Sequence, residues 1–292
     1  MYPHSFDYVR PESLDRAVGL LREHGERAKV LAGGQSLIPL MKLRLASPAV
    51  LIDLGRIPGL SMLKEDGEFL RIGAMTRHRD FEQTAMVRDR YPLLADVARV
   101  LGDPQVRNLG TIGGSIAHAD PAGDWGAALL AFDAKVLARG PSGERTIPID
   151  EFFKDTFTTA LKAGEILTEV RLPKAGAHAG GAYTKLKRKT GDFATVAAAA
   201  QVELDGGGKV MKVRIGLAAV GTTPIRAKRA EDHLKGKPAD EAHLAAAAKL
   251  AAQEARPTSD LRGTAEYKRA MVEVFTRRAL ERAVERARGR GA

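Results

Sequence analysis

The chain has 292 residues, of which 44% are hydrophobic and 28% charged, a composition typical of a globular protein with room for two or three structural units. It contains no cysteine, which excludes disulfides, thiolate nucleophiles and cysteine-ligated metal centres within this chain. No apolar run is long enough to predict a membrane span, and the N-terminal segment lacks the pattern of a secretory signal, so the cytoplasm is the expected compartment.

The formal net charge of +10 is unevenly distributed along the chain. Residues 1–176 carry equal numbers of basic and acidic side chains, and residues 177–292 carry the whole excess. Such asymmetry is typical of a nucleic-acid surface or of a face that docks an acidic protein, but a well-solvated helical region shows it equally. Aromatic residues make up only 5% and are not interleaved with basic ones, which argues against nucleic acid.

The first 55 residues predict a compact α/β unit. A helix is expected from residue 12 to Gly25, capped by Ser13, with an apolar stripe formed by Leu14, Ala17, Val18 and Leu21. Short apolar runs at 29–32 and 49–54 predict two strands. The first of these strands leads directly into a pair of glycines.

Residues 57–176 mix strands and helices. Strands are predicted at 69–73, 134–139, 145–149 and 166–172. Helices are predicted from Thr76, as the cap, through Phe81, and over residues 88–100. A third is predicted to begin at Asp120 and Pro121, because proline fits the first helical turn.

The last third of the chain predicts a sheet followed by helices. Residues 173–181 are rich in small residues and predict a linker. Strand-like runs follow at 182–188, 194–204 and 209–220, and the segment 205–208 (Asp-Gly-Gly-Gly) predicts a hairpin between the last two. Helices are then predicted near 227–234, 239–254 and 264–288. No internal repeat is visible.

Two segments contain adjacent glycines followed by serine: Ala32-Gly33-Gly34-Gln35-Ser36 and Thr111-Ile112-Gly113-Gly114-Ser115. A glycine-rich turn lets backbone N–H groups approach an anion, and a flanking hydroxyl adds a donor to a phosphate oxygen. Two such segments brought together would hold a diphosphate from both sides. The alternative is that each pair of glycines only makes a tight turn.

Other signatures of nucleotide or metal chemistry are absent from the sequence. There is no G-x-G-x-x-G and no G-x-x-x-x-G-K-[ST] motif, and the seven histidines show no metal-ligand spacing. We therefore nominate no metal ligand and no catalytic acid or base. His118 lies beside the second glycine pair, and a solvated histidine is its alternative role.

Both glycine segments, together with residues 117–124, resemble the FAD-binding subunits of molybdenum hydroxylases, the xanthine dehydrogenase family. The resemblance covers essentially the whole chain and is strongest for the medium subunits of aerobic-type carbon monoxide dehydrogenases. It implies an α+β fold: a two-subdomain FAD-binding domain of the vanillyl-alcohol-oxidase (PCMH) type, and a C-terminal three-stranded antiparallel sheet with a helix bundle. The implied domains are 1–176, with subdomains of about 1–56 and 57–176, and 177–292.

The resemblance also assigns cofactor contacts. It implies that FAD is bound without a covalent bond, and the absence of cysteine excludes a cysteinyl flavin bond. It also implies that residues 32–36, Leu37 and residues 111–115 hold the diphosphate and its neighbours. Asp124 matches an acidic FAD contact, although an acidic residue in the first turn of a helix is an equal alternative. Leu101 and Leu161 match apolar contacts, or core residues. Lys185 matches a lysine near the isoalloxazine, or a solvated lysine in a basic strand.

One position departs from the family. Close carbon monoxide dehydrogenase relatives can carry a phenol after Gly-Asp, covering the flavin ring, and this chain has Phe193 there. Stacking on the ring would be kept, whereas a hydroxyl hydrogen bond would be lost.

The function that the resemblance implies is electron transfer. Substrate would be oxidised at a molybdenum–pterin cofactor on a large subunit, and electrons would pass through [2Fe–2S] clusters on a small subunit to FAD and then to a quinone, NAD or another acceptor. A dimer of heterotrimers is expected, in the cytoplasm or attached through the complex to the inner face of the membrane. The alternatives are a stand-alone flavin oxidoreductase of the same fold class and a non-catalytic nucleotide-binding protein.

Overall fold

A computed structural model describes residues 2–289. The strands are β1 Asp7–Val9, β2 Ala28–Leu31, β3 Val50–Asp53, β4 Leu63–Asp66, β5 Phe69–Gly73, β6 Lys135–Gly140, β7 Gly143–Pro148, β8 Phe153–Asp155, β9 Thr158–Thr159, β10 Ile166–Pro173, β11 Ala179–Leu186, β12 Val196–Leu204, β13 Val210–Ala218 and β14 Ile225–Arg226. The α-helices are α1 Leu14–His24, α2 Leu37–Lys42, α3 His78–Gln83, α4 Ala85–Arg90, α5 Pro92–Val100, α6 Pro104–Leu109, α7 Ile112–His118, α8 Asp124–Ala131, α9 Ile149–Phe152, α10 Lys228–Leu234, α11 Glu241–Glu254 and α12 Ala265–Gly289.

The N-terminal unit is a parallel three-stranded sheet of order β1-β3-β2 with α1 packed on it. Its helix is as predicted: the Ser13 side chain accepts a hydrogen bond from the N–H of Arg16, and Gly25 is the C-terminal cap. The two predicted strands are present as β2 and β3, with ends displaced by one residue. Val18 and Ile52 lie in the small apolar core between helix and sheet, which also takes Ile166 from β10.

The central unit is an antiparallel sheet of order β4-β5-β10-β6-β7. All four strands predicted for this region are present, and β4 was not predicted. Helices α3 to α5, α7 and α8 bury their apolar faces with this sheet in the largest core of the described chain, in which Trp125 is fully buried. The remaining short strands, β8 and β9, pair with each other.

The predicted helix over residues 88–100 is wrong in one respect, because two helices, α4 and α5, share this region. They meet at Tyr91, whose dihedral angles (φ −131°, ψ 53°) are not helical. The residue before a proline is sterically excluded from the helical region, and Pro92 begins the second helix. Thr76 was also misassigned: its hydroxyl donates to the carbonyl of Met62, and α3 begins only at His78.

The helix predicted to begin at Asp120 and Pro121 begins instead at Asp124, with Gly123 as its N-terminal cap. The Asp120 carboxylate accepts the N–H of Ala122, and its carbonyl accepts the N–H of Gly123. Asp120 therefore stabilises a turn before the helix, a role that aspartate fills as readily as capping. Asp124 is therefore the first residue of α8 and lies in its first turn.

The C-terminal sheet is antiparallel with the order β11-β12-β13-β14, so the two-residue β14 is added to the three predicted strands. The predicted hairpin joins β12 and β13, and the three predicted helices are α10 to α12. Both faces of the sheet are covered: Ala198 and Ala200 belong to the core shared with α12, and Ala197 and Ala199 to the core shared with α8. This two-sided burial explains why β12 is apolar without alternation.

Small residues allow the helices to lie close to this sheet. A Cβ on Gly180 or on Gly216 would overlap the carbonyl oxygen of a helix residue, Ala283 in α12 or Ala127 in α8. The domain division at residue 176 stays a prediction. The largest core crosses that position, because it includes Tyr183. Residues 290–292 of the predicted C-terminal domain lie outside the described residues.

Candidate cofactor-binding site

The first glycine segment connects β2 to α2. Gly33 and Gly34 have φ angles of 83° and 75°, in the left-handed region that favours glycine. Within residues 2–289, no hydrogen-bond acceptor is found for the successive backbone N–H groups of Gly33, Gly34, Gln35, Ser36 and Leu37. Such a run of free donors is a suitable site for an anion.

The second glycine segment is not a loop but the first turn of α7. Thr111 is its N-terminal cap, and the threonine hydroxyl accepts the N–H of Gly114 at 3.1 Å. The N–H groups of Ile112 and Gly113 donate to Thr76 and Ala74, and that of Ser115 to the Thr111 carbonyl. All these N–H groups have protein acceptors, and the Ile112 side chain is fully buried, so the Ser115 hydroxyl is what this segment offers to a ligand.

The two glycine segments lie against each other, as their pairing predicts. The Thr111 hydroxyl donates to the Ala32 carbonyl oxygen at 3.1 Å. A Cβ on Gly114 would lie 2.6 Å from that same oxygen, and one on Gly33 would overlap the carbonyl oxygen of Leu109. Glycine is therefore required here for the approach of backbone to backbone, in addition to the positive φ at Gly33.

A buried network of charged and polar groups lies at the C-terminal side of α5. The Asp124 carboxylate accepts the hydroxyl of Tyr183 at 2.6 Å on one oxygen and the Lys185 ammonium at 2.9 Å on the other. The Lys185 side chain is 1% exposed and that of Asp124 5%. Lys185 also donates to the carbonyl of Val100 at 3.4 Å. Asp124, predicted as an FAD contact, is thus bonded to protein groups on both oxygens.

Burial dominates the electrostatics of this network. Burial raises the pKa of Asp124, and the positive charge of Lys185 and the hydrogen bond from Tyr183 oppose the rise. Burial, together with the Asp124 carboxylate, raises the pKa of Tyr183 well above its usual range, so the phenol stays protonated and donates. The carboxylate is stabilised as an anion by an ammonium and a phenol, the pairing that a buried charge requires.

Leu101 lies next to this network, and Phe193 lies in the loop between β11 and β12. Leu101 follows Val100 at the end of α5 and is 8% exposed, so it belongs to the core as well as to the site. Phe193 is 48% exposed. Its N–H donates to the carboxylate of Asp192, and hydrogen bonds from Arg262 and then Arg188 lower the pKa of that carboxyl to about 2.

Helix α6 connects the two ends of the site. It begins after Asp103, which lies about 4.0 Å from the Cβ position of Gly191 near Phe193, and it ends at Leu109, which lies against Gly33. Six residues of helix are roughly 9 Å long, so Gly33 and Gly191 lie near opposite ends of a helix of about that length. Leu161 follows β9, which packs on α7, and is half-buried against the large core.

Three features of this region were not predicted. Tyr183 lies two residues before Lys185, so period-two alternation places both on one face of β11, a signal that was available in the sequence. The His78 imidazole accepts a hydrogen bond from the Trp125 indole at 3.0 Å, and burial lowers its pKa to about 3. His118 packs on the ring of Phe157, and burial lowers its pKa.

These residues fit a dinucleotide. Five free N–H groups and the Ser115 hydroxyl suit a diphosphate, and the exposed ring of Phe193 suits an apolar ring system. An ammonium has three N–H donors. Lys185 uses two of them on Asp124 and Val100, and no third acceptor is found among residues 2–289.

The comparisons with known proteins agree with this geometry. The family model for the FAD binding domain in molybdopterin dehydrogenase matches residues 4–175, and that for the CO dehydrogenase flavoprotein C-terminal domain matches residues 181–283. Together they define an FAD-containing oxidoreductase subunit of two parts. The chain belongs to the family of FAD-binding subunits of molybdenum hydroxylases.

Individual relatives are similar along their whole length. The carbon monoxide dehydrogenase medium chain of Hydrogenophaga pseudoflava is 45% identical over 97% of this chain and 98% of its own. A structure of carbon monoxide dehydrogenase from that organism, lacking the Mo-pyranopterin moiety of the molybdenum cofactor, superposes with a TM-score of 0.95 at 46% identity, covering 98% of this chain and 99% of that one. The 6-hydroxypseudooxynicotine dehydrogenase complex subunit alpha of Paenarthrobacter nicotinovorans is 38% identical, over 99% of this chain and 97% of its own.

Proposed function

We propose that this chain is the electron-transfer subunit of a molybdenum-containing hydroxylase or dehydrogenase, receiving electrons from [2Fe–2S] clusters on a partner and passing them from FAD to an external acceptor. The observation that carries the proposal is the run of free backbone N–H groups at residues 33–37, to which the buried ammonium of Lys185 and the exposed ring of Phe193 add a cation and an aromatic ring.

The titratable residues in and beside the site favour a flavin that exchanges electrons over one that oxidises a substrate of its own. Asp124 and Tyr183 are bonded to each other, and His78 is held neutral and accepts from Trp125, so none of these three is free to move a substrate proton. Bound FAD supplies the redox chemistry, and the protein positions it and adjusts its potential. A cation at Lys185 stabilises negative charge on the reduced ring, which favours reduction.

The proposed cofactor contacts remain those of the sequence. They are Ala32, Gly33, Gly34, Gln35, Ser36, Leu37, Leu101, Thr111, Ile112, Gly113, Gly114, Ser115, Asp124, Leu161, Lys185 and Phe193. The hydrogen bonds divide them by role. Residues 33–37 are the direct diphosphate donors, Thr111 and Gly114 maintain the contact between the two segments, and Asp124 acts on the ring through Lys185.

The proposed partners are a large molybdenum–pterin subunit and a small iron–sulfur subunit in a dimer of heterotrimers. The chain has no cysteine, so the iron–sulfur ligands must come from another polypeptide. The acceptor would be a quinone, NAD or another oxidant. Among residues 2–289, no helix is long and apolar enough to cross a lipid bilayer. The substrate belongs to the partner's site, and the relatives' names include both carbon monoxide and 6-hydroxypseudooxynicotine.

A native pull-down with metal analysis tests this proposal. Molybdenum and iron should co-purify with the chain, and the chain separated from its partners should keep FAD but show no bleaching by organic substrates while dithionite reduces it. A yellow, metal-free chain that is bleached by a small molecule would support the stand-alone oxidoreductase. A chain that remains colourless after incubation with FAD would support the non-catalytic alternative.

A further inference from the structure

Tyr183 connects two buried carboxylates that belong to different helices. Its hydroxyl donates to Asp124 in α8, and its backbone N–H donates to Asp96 in α5 at 3.3 Å. Asp96 is 5% exposed and also accepts two hydrogen bonds from the Arg286 guanidinium of α12, at 2.6 and 3.1 Å. Arg286 donates in addition to the carbonyl of Gly181. Both the side chain and the backbone of Tyr183 are therefore held by buried polar groups.

The hydroxyl of Tyr183 decides which oxygen of Asp124 is left for Lys185. The carboxylate has two oxygens, one bonded to the phenol at 2.6 Å and the other to the ammonium at 2.9 Å. Removing the phenol would leave a buried oxygen without a donor, and the carboxylate could then turn and draw the ammonium with it. The position of the Lys185 ammonium therefore depends on a buried residue that does not bond to it directly.

We propose that Tyr183 is a positioning residue of the flavin site. Through Asp124 it fixes the position of the Lys185 ammonium, and Asp96 with Arg286 fixes the strand that carries Tyr183 and Lys185. Asp124 then also acts on the ring through Lys185. This inference rests on the proposed function, because it needs FAD to be bound beside Lys185.

A double-mutant cycle in the full-length FAD-loaded chain tests the inference. The variants are Tyr183→Phe, Lys185→Met and their combination, measured for FAD dissociation constant and for flavin midpoint potential. Tyr183→Phe should weaken FAD binding by about three- to tenfold, as expected for the indirect loss of one charge-assisted hydrogen bond, and should lower the midpoint potential. The double variant should be no worse than Lys185→Met alone, since Tyr183 acts only through that lysine.

Tyr91 provides a matched control. It is 2% exposed, and its hydroxyl donates to the Glu65 carboxylate at 2.6 Å, outside the site. Tyr91→Phe should leave both flavin properties within about a factor of two of the unaltered protein, because a phenol–carboxylate bond lost elsewhere changes stability only.

The outcomes separate this inference from the proposed function. Equal behaviour of Tyr183→Phe and Tyr91→Phe, or losses that add in the double variant, would overturn the inference while leaving FAD binding intact. Failure of the unaltered chain to take up FAD would refute the proposed function itself. If Tyr183→Phe does not fold, Asp124→Asn is put through the same cycle, and only non-additivity with Lys185→Met supports the inference.

Discussion

Replacing Gly33 with alanine perturbs the contact between the first glycine segment and the end of α6, directly before the second segment. The new Cβ would overlap the carbonyl oxygen of Leu109 and lie 3.0 Å from the Cα of Gly110. Both neighbours are backbone, so they cannot rotate away, and the segments must separate by roughly 1 Å to restore an ordinary contact distance. Alanine at a positive φ adds about 1–2 kcal/mol of strain.

Gly59 allows these two effects to be separated. Its φ of 81° is almost that of Gly33, and a Cβ there would meet nothing within 4 Å. Gly59→Ala should therefore lower the free energy of unfolding by the strain alone, about 1–2 kcal/mol. Gly33→Ala should lower it by about 1–3 kcal/mol more, the usual range for overpacking.

The assays are urea unfolding without cofactor and FAD titration by fluorescence quenching. FAD affinity should fall at least about tenfold in Gly33→Ala, because the N–H groups of residues 33–37 move with the displaced segment, and it should be unchanged in Gly59→Ala. Equal losses of stability in the two variants, or full FAD affinity in Gly33→Ala, would refute the argument that this contact shapes the site.

Two further variants test the packing and the protonation of the site. Gly114→Ala should weaken FAD binding, because its Cβ would lie 2.6 Å from the Ala32 carbonyl oxygen. The control Gly19→Ala, in the open middle of α1, should instead stabilise the protein by about 1 kcal/mol. A Gly114→Ala variant that is more stable than the unaltered protein and binds FAD normally would contradict this prediction. Burial lowers the pKa of His78 from 6.5 to about 3, so the imidazole is neutral in the folded protein. In the unfolded chain the same residue takes up a proton below pH 6.5. The free energy of unfolding therefore falls as the pH drops from 6.5 towards 3. Between pH 7 and pH 5 the unaltered protein should lose about 2 kcal/mol more than His78→Asn, which keeps an acceptor for Trp125 but does not titrate; equal pH slopes in urea unfolding would show that His78 is not the group responsible.

The sequence alone determined most secondary structure and the pairing of the glycine segments. Periodicity located helix α1 and most strands of the three main sheets, because apolar faces repeat with the period of the element that buries them. It missed the short edge strands β1, β4 and β14. Its errors came where one residue type serves two roles. Asp120 suits a turn as well as a helix cap, and Pro92 begins a helix as readily as it interrupts one.

The resemblance carried the identity of the cofactor, which composition and spacing could not, since a pair of glycines makes a tight turn in many proteins. Asp124 and Lys185 were predicted individually as cofactor contacts. Their mutual hydrogen bond, and the bond from Tyr183 to Asp124, exist because α8 packs against the C-terminal sheet. This packing joins residues that lie 59 positions apart in the sequence, Asp124 and Tyr183.

Tertiary structure also decided which of the two glycine segments has free N–H groups for a ligand. From the sequence, 32–36 and 111–115 were equivalent phosphate-binding candidates. In the fold, the second segment begins α7, and its N–H groups are used by Thr76, Ala74 and its own cap, whereas those of residues 33–37 stay free. A backbone N–H serves one strong acceptor at a time, and only the three-dimensional neighbours decide whether that acceptor is the protein or a ligand.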